Sequence, residues 1–439
     1  MDFIATNSTT LLQPPQWNSK PAWKLPGWGE PVMVAMILFT AMVLTRRRGY
    51  RVFGRPSSPY RSHLDIAPDS ARPSDGLLTY YSNSGHNGEE DDFVRTTKHH
   101  RKKKYCSGIS FDTPDTSRFA NNMHSRMLQR FPFLIEMFYW TTNFLFYRMT
   151  STLSQRMFAS TGIWAVAQAH GLAVLEAEEF GWSSFLFPVR EREVQQWFTR
   201  GHQDALSTLN RAYALIHIPG TVGFIAWYYY AAPSHSTFAT VRRTMTLTNF
   251  PAFLTFIFYP CMPPRLLPAE YGFLDTVRHD DAQSVWMNGR YVNSLAAMPS
   301  MHFGYAFTIG CTLLYHSGNF CSPFEKKEIG QSGFWKLFFV VLGIGYPSLI
   351  LTTVVATANH YFLDAVVATL FVLIAFACNE TLCVFLPLEN CLFWAIRAAK
   401  PVPTTGQRYG YGRSRRNELK SPVLVESHRT VSGQRFGVP

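Results

Sequence analysis

The sequence predicts an all-α, polytopic membrane protein: an N-terminal transmembrane helix followed by a compact block of six spans. Three observations predict this. First, apolar runs separated by short loops fill most of 211–395, whereas about 50–130 and the tail beyond about 400 are polar. The mean hydropathy of −0.05 averages these two unlike populations. Second, aromatic residues make up 15% of the chain and charged residues only 16%, a skew that suits lipid-facing helices. Third, the net charge of +12 is gathered in clusters that abut apolar runs. That placement marks membrane orientation rather than nucleic-acid binding.

A span needs about 17–25 mostly apolar residues. The candidates, in order, are 31–45, 131–148, 211–230, 247–263, 299–316, 336–356 and 361–386. The first is short and ends at Arg46-Arg47-Arg48. It starts too far into the chain for a cleaved leader, so it reads as a signal anchor. Lysine and arginine in short loops mark the cytosolic side. Arg46–Arg51 and Arg101–Lys104, then Arg242-Arg243, then Lys326, Lys327 and Lys336, then Arg397, Lys400, Arg408 and Arg413 all fall on one side of a seven-span chain. The N-terminus is then outside, where the Asn7-Ser8-Thr9 sequon can be used. A second sequon, Asn379-Glu380-Thr381, falls within a span and is expected to be unused. The stretch 157–175 is apolar, but Gln168, His170 and the run Glu176-Ala177-Glu178-Glu179 favour an amphipathic helix at the outer interface.

The organisation that follows is a short extracytoplasmic N-terminus (1–30), an anchor (31–45), a disordered basic cytosolic linker (46–130), a six-span catalytic membrane domain (131–390) and a basic cytosolic tail (391–439). The seven cysteines show no paired CxxC spacing, so neither a zinc site nor a structural disulfide is expected.

Three clusters on the outer side carry chemistry. They are Tyr259-Pro260-Cys261-Met262-Pro263-Pro264-Arg265, Pro299-Ser300-Met301-His302, and Asn359-His360-Tyr361-Phe362-Leu363-Asp364. If His360 opens a helix, Asp364 lies one turn on, over the same face. The carboxylate can then hold one imidazole nitrogen as N–H and leave the other free to attack phosphorus. His302 is the candidate general acid, and Ser300 and Arg265 are candidate ligands of the non-bridging oxygens. The scheme needs no metal and no cofactor. Asn210, Tyr213 and His217 share one face of the third span, either to line the pocket or to bond between helices.

At these residues the sequence resembles the phosphatidic acid phosphatase type 2 superfamily of lipid phosphatases and phosphotransferases. Its P-S-G-H motif is matched by Pro299, Ser300 and His302, with Met301 in place of Gly. The closing H-x3-D of its last motif is matched by His360 and Asp364. Ala297-Met298-Pro299-Ser300-Met301-His302, Pro263-Pro264-Arg265, and Asn210, Tyr213 and His217 followed by Arg242-Arg243 look closer to the inositol phosphotransferase branch, which includes the inositol phosphorylceramide synthases. The resemblance spans about 131–390 and implies a six-helix phosphatase-like core. It implies that His360 is the nucleophile, Asp364 its orienter, His302 the acid and Ser300 a phosphate ligand. Two cations of the family pattern are absent: Phe258 stands where Lys is expected and Val354 where Arg is expected, with Thr353 in place of Ser. Arg265 then acts alone, or with Arg278 and Arg290 of the outer loop.

The function expected is lipid phosphoryl or phospho-headgroup transfer, or hydrolysis, through a phosphohistidine at the lumenal face of an endomembrane (Golgi or ER). Phosphoinositol transfer is the finer form. The partners are a phospholipid or other lipid phosphate and the surrounding lipids, with no nucleic acid. The alternative is a catalytically idle relative that binds or moves a lipid.

Overall fold

The computed structural model describes residues 28–48, 52–53, 102–106, 109–180, 185, 188–276, 294–318 and 333–407. Their fold is predominantly α-helical. Helix α1 (Gly29–Leu44) is apolar all round and stops at the basic cluster, where Arg46 Nη1 donates to the Val43 carbonyl at 2.8 Å. A cation there suits the negative end of the helix dipole. Strands β1 (Lys102–Cys106) and β2 (Ile109–Thr113) pair antiparallel, with Lys102 opposite Thr113. Helices α2 (Met123–Arg130), α3 (Phe133–Met157), α4 (Ile163–Glu179), α5 (Glu191–Gly201) and α6 (Gln203–Leu215) follow. After a π-turn at Ile216–Gly220 come α7 (Thr221–Ala231), α8 (His235–Phe258), α9 (Met301–His316), α10 (Gly333–Ala356), α11 (Phe362–Ala377) and α12 (Leu386–Ala395).

The count of spans differs from expectation. Among the described residues, one helix, α10, is long and apolar enough to cross a membrane by length and composition. The bent pair of α11 with Asn379–Ala395, at 65°, makes at most a second. Helices α1 and α9 are short, at 16 residues each, and three other shortfalls have a local cause. Helix α3 carries Glu136, Asn143 and Arg148. The stretch expected at 211–230 is divided by the π-turn, where Pro219 offers no N–H to a regular ladder. The stretch at 247–263 is the second half of α8, whose first half holds Arg242 and Arg243. That pair is therefore not in a loop. Both side chains are buried, with Arg242 Nη1 2.5 Å from Glu136 and Arg243 Nε donating to Asn379 Oδ1 at 2.7 Å.

The polar side chains of these helices point inward and large apolar ones outward. On α8, Arg242, Thr248 and Asn249 are buried while Phe250, Leu254 and Phe258 are exposed. Helix α4 covers most of the stretch expected to be amphipathic and turns Ala167, Gly171, Val174, Leu175 and Glu178 inward. Helices α9 and α10 pack backbone to backbone. A Cβ at Gly310 would lie 2.5 Å from the Gly343 carbonyl and from Pro347 Cγ.

The bundle has two chemically different ends. At one, Arg47 N–H donates to the Arg130 carbonyl, Thr404 Oγ1 to the Thr45 carbonyl, and Gln129 Nε2 to the Lys400 carbonyl. Lys400 also pairs with Glu389 at 2.8 Å. The segment read as the start of a free tail is thus structured: 391–395 completes α12, and the chain to 407 packs against α2 and the end of α1. Within the segment read as a linker, the hairpin and α2 are likewise formed; residues 54–101 lie outside the described residues, as does the tail from 408. Helix α8 runs from this end toward the three outer clusters. Its stretch from Arg242 to Phe258, sixteen helical rises, separates the ends by about 24 Å.

Candidate active site

The second histidine cluster is set by how α10 stops. Ala358 turns into the left-handed region (φ 51°), a conformation that costs a non-glycine residue about 1 kcal/mol or more. The N–H groups of Asn359 and His360 both return to the Val354 carbonyl, at 2.9 and 3.3 Å. The Ala358 carbonyl accepts the Arg265 N–H at 2.9 Å, which locks the first cluster onto the third. His360 thereby leaves the helix aimed at the start of α9.

His360 Nδ1 lies 2.7 Å from the Ala297 carbonyl and 3.3 Å from Asp364 Oδ2. Both are acceptors, so Nδ1 carries the proton and Nε2 holds a lone pair. Nε2 faces His302 Nδ1 at 3.4 Å, with ring centroids 5.4 Å apart. Because Nε2 accepts, His302 Nδ1 is the donor. The imidazole of His302 is stacked on Tyr213 at 4.4 Å, which fixes its plane. An imidazole lone pair and an imidazole N–H thus meet at one point.

The first turn of α11 supplies three N–H groups, and each ends on a different carboxyl. Tyr361 N–H donates to Asp364 Oδ2 (3.0 Å), Phe362 to Glu191 Oε1 (3.0 Å) and Leu363 to Glu178 Oε1 (2.5 Å). Asp364 is fully buried. Burial, then the hydrogen bond and charge of Glu191, push the Glu178 carboxyl far above the usual carboxylate range. Tyr361 Oη donates to the Met262 carbonyl at 2.9 Å. Gly171 of α4 leaves room for that bond: a Cβ there would be 2.8 Å from the hydroxyl.

Ser300 is the N-cap of α9. Its Oγ accepts from Phe303 N–H at 3.4 Å, and its own N–H donates to the Asp364 backbone carbonyl at 3.2 Å. Its side chain is buried and tied to the cap. Arg265 Nε donates to Asn359 Oδ1 at 2.8 Å, and Nη1 to both oxygens of Asp275 at 3.1 and 3.0 Å.

His302, His360, Arg265 and Asn359 share the wall of a cavity of about 420 Å³. Away from them the cavity is apolar, lined by residues such as Phe253, Phe256, Ile225, Val34 and Leu38.

Residues 182–323 and 331–378 match the family described as the PAP2 superfamily. The match supports the fold of that superfamily for this region, and a phosphatase- or phosphotransferase-type activity in general. It does not single out the inositol phosphotransferase branch. No curated protein and no solved structure matches the chain significantly.

Of the residues expected from the sequence, His302, His360, Asp364 and Arg265 come together, with Ser300 beside them as a helix cap. Arg278 and Arg290 lie outside the described residues. Phe258 is exposed, and Val354 is a buried residue whose carbonyl anchors the turn into His360. Asn210 accepts from Thr276 Oγ1 at 3.3 Å. Sequence reasoning gave no role to Asn359, Asp275, the Ala297 carbonyl or Glu191. A carboxylate ten residues after Arg265 is the one signal that could have pointed to Asp275. Nothing in the sequence marks a carbonyl as a histidine acceptor.

Proposed function

We propose that this chain is a membrane-embedded enzyme that transfers the phosphoryl or phospho-headgroup of a lipid phosphate ester through a phosphohistidine on His360. The observation that carries the reading is the lone pair of His360 Nε2 facing the donor His302 Nδ1 at 3.4 Å, at the polar end of an apolar cavity. His360 Nε2 attacks phosphorus and the P–O ester bond breaks. The leaving oxygen takes the Nδ1 proton of His302 in its imidazolium form, which becomes neutral imidazole. In the second half, His302 removes the proton of water or an alcohol, whose oxygen attacks phosphorus and breaks the P–N bond. Asp364 and the Ala297 carbonyl hold the His360 proton at Nδ1 throughout and stabilise the charge formed on the ring. Arg265 and the Ser300 end of α9 face the non-bridging oxygens.

Several features support a bilayer setting. The exposed faces of the helices carry Phe250, Leu254, Leu337, Val341, Ile344, Leu370 and Leu373, with polar groups held inside. Soluble proteins rarely expose contiguous apolar surface on that scale. The basic end and the histidine end are separated by about 24 Å of helix, close to a hydrocarbon core of about 30 Å. On this reading the spans number seven, polar helices included, and the histidines face the lumen of an endomembrane. Transfer to an inositol-type headgroup acceptor or a ceramide hydroxyl is the finer form suggested by the sequence motifs.

The test is turnover of a headgroup-labelled phospholipid by the full chain, with and without an alcohol acceptor. Label appearing on the acceptor marks transfer, and label released whatever the acceptor marks hydrolysis. His360→Ala should lower either rate by at least about 10³-fold. Full function in cells with that variant would instead identify an idle relative that binds or moves lipid.

A further inference from the structure

The apolar cavity has in its wall a hydrogen-bonded polar cluster that the reaction does not use. Asn249 of α8, Tyr305 of α9 and Asn143 of α3 all line it. Tyr305 Oη donates to Asn249 Oδ1 at 2.7 Å, and Tyr305 also bonds to Asn143. Asn249 is 1% exposed, and its Nδ2 has no hydrogen-bond partner. A buried amide donor left unpaired is costly, so such a group ordinarily meets a ligand or a water.

Its position relative to the histidines is set by helix geometry. Tyr305 is three residues after His302, on the same face of α9 and about 4.5 Å further along the axis. The polar point therefore lies about one turn below the phosphoryl site, where the cavity turns apolar. In an acyl-linked lipid phosphate, a few bonds separate the phosphate from the first ester or amide carbonyl, and the acyl chain begins there.

We infer that Asn249 Nδ2 receives the carbonyl oxygen of an ester- or amide-linked lipid, with Tyr305 and Asn143 orienting the amide. The inference rests on the lipid-phosphate reading above and deepens it to the linkage. The donor asks for an acceptor. Tyr305 holds Oδ1, so the amide offers its nitrogen, and a carbonyl matches it. An alkyl ether, a much weaker acceptor, would bury the Asn249 amide without giving it a comparable bond.

The experiment is competitive displacement of a fluorescent lipid from the full-length chain in neutral detergent. The His360→Ala background keeps the lipid from being consumed. The competitors are diacyl phosphatidic acid, ceramide 1-phosphate and dialkyl ether phosphatidic acid. At least one acyl lipid should bind about tenfold more tightly than the ether analogue. A preference for the diacyl lipid assigns the ester, and one for ceramide 1-phosphate assigns the amide. Asn249→Leu, of similar volume, should bring the ratio to about one while keeping affinity for the ether lipid. If that variant does not fold, Tyr305→Phe should reduce the ratio at least threefold. Equal binding of all three lipids, or a ratio unchanged in the folded variant, overturns the carbonyl site. Turnover of the acyl lipid by the unsubstituted chain is read in parallel. Linkage preference without turnover would overturn the proposed reaction and leave this site standing.

Discussion

The carboxyls at the start of α11 divide their tasks. Asp364 accepts from both Tyr361 N–H and His360 Nδ1, so it links the helix cap to the imidazole. Replacing Asp364 with Asn keeps the volume but offers an N–H donor in place of an acceptor. The Ala297 carbonyl then holds the Nδ1 proton alone and no carboxylate steadies the charge formed on the ring, so kcat should fall by about 10³-fold with little change in KM, as steady-state kinetics would show. Glu178 and Glu191 act one step further out, on the backbone of the same turn. The raised Glu178 carboxyl is protonated near neutral pH in the folded chain and ionised in the unfolded chain, whose pKa is about 4.3. The folded state therefore holds the extra proton, and stability contributed by this group is complete below that value and declines as pH rises. Glu178→Gln keeps an oxygen for Leu363 N–H and cannot ionise. Thermal unfolding between pH 6 and 10 should show a falling Tm for the natural chain and a flatter curve for the variant. Parallel curves would refute the assignment. The pairing of His360 with Asp364 was legible in the sequence because one-turn spacing is a local property. Glu191 was not, since it reaches the turn at Phe362 through a contact 171 residues away in the chain.

At the scale of elements, the approach of α9 to α10 matters most, because α9 carries Ser300 and His302 and α10 ends in the turn to His360. Gly310 and Gly343 allow it. Gly310→Ala places a methyl against the Gly343 carbonyl and the Pro347 ring and should cost about 1–3 kcal/mol, measured by thermal unfolding in detergent. Gly345→Ala on the same helix meets nothing within 4 Å, and should be neutral or stabilising by up to about 1 kcal/mol. Equal effects of the two would refute the close-packing account. The existence of these helices could be read from apolar runs, but their lengths could not. Arg242 and Arg243 read as loop residues because unpaired arginines avoid helix interiors in lipid. Inside α8 they are paired with Glu136 and Asn379, partners supplied by distant segments.

For the whole molecule, the consequence is sidedness. In the membrane reading, Arg118 near the basic end and Glu270 near the histidine end lie across the bilayer, and both are exposed. In a cysteine-free background, Arg118→Cys should react with an impermeant maleimide only from the cytosolic side of sealed microsomes, and Glu270→Cys only after the membrane is opened. Labelling of both from one side would overturn the topology. The chain should also stay with membranes through high salt, which releases proteins held only by charge. Composition alone allows one or two spans among the described helices, since it scores polar residues equally whether they face lipid or each other.

By itself, the sequence determined the helical class, the polarity of basic against apolar segments, and the candidate residues for chemistry at phosphorus. Each follows from composition or from spacing within a turn or two. Only the tertiary structure decided that His302 and His360 face one another, that Ser300 is a helix cap, that Arg265 is held by Asn359 and Asp275, and that an apolar cavity with the Asn249 amide in its wall runs from this point. Those relations depend on distances between segments far apart in the chain, and the packing of helices sets such distances.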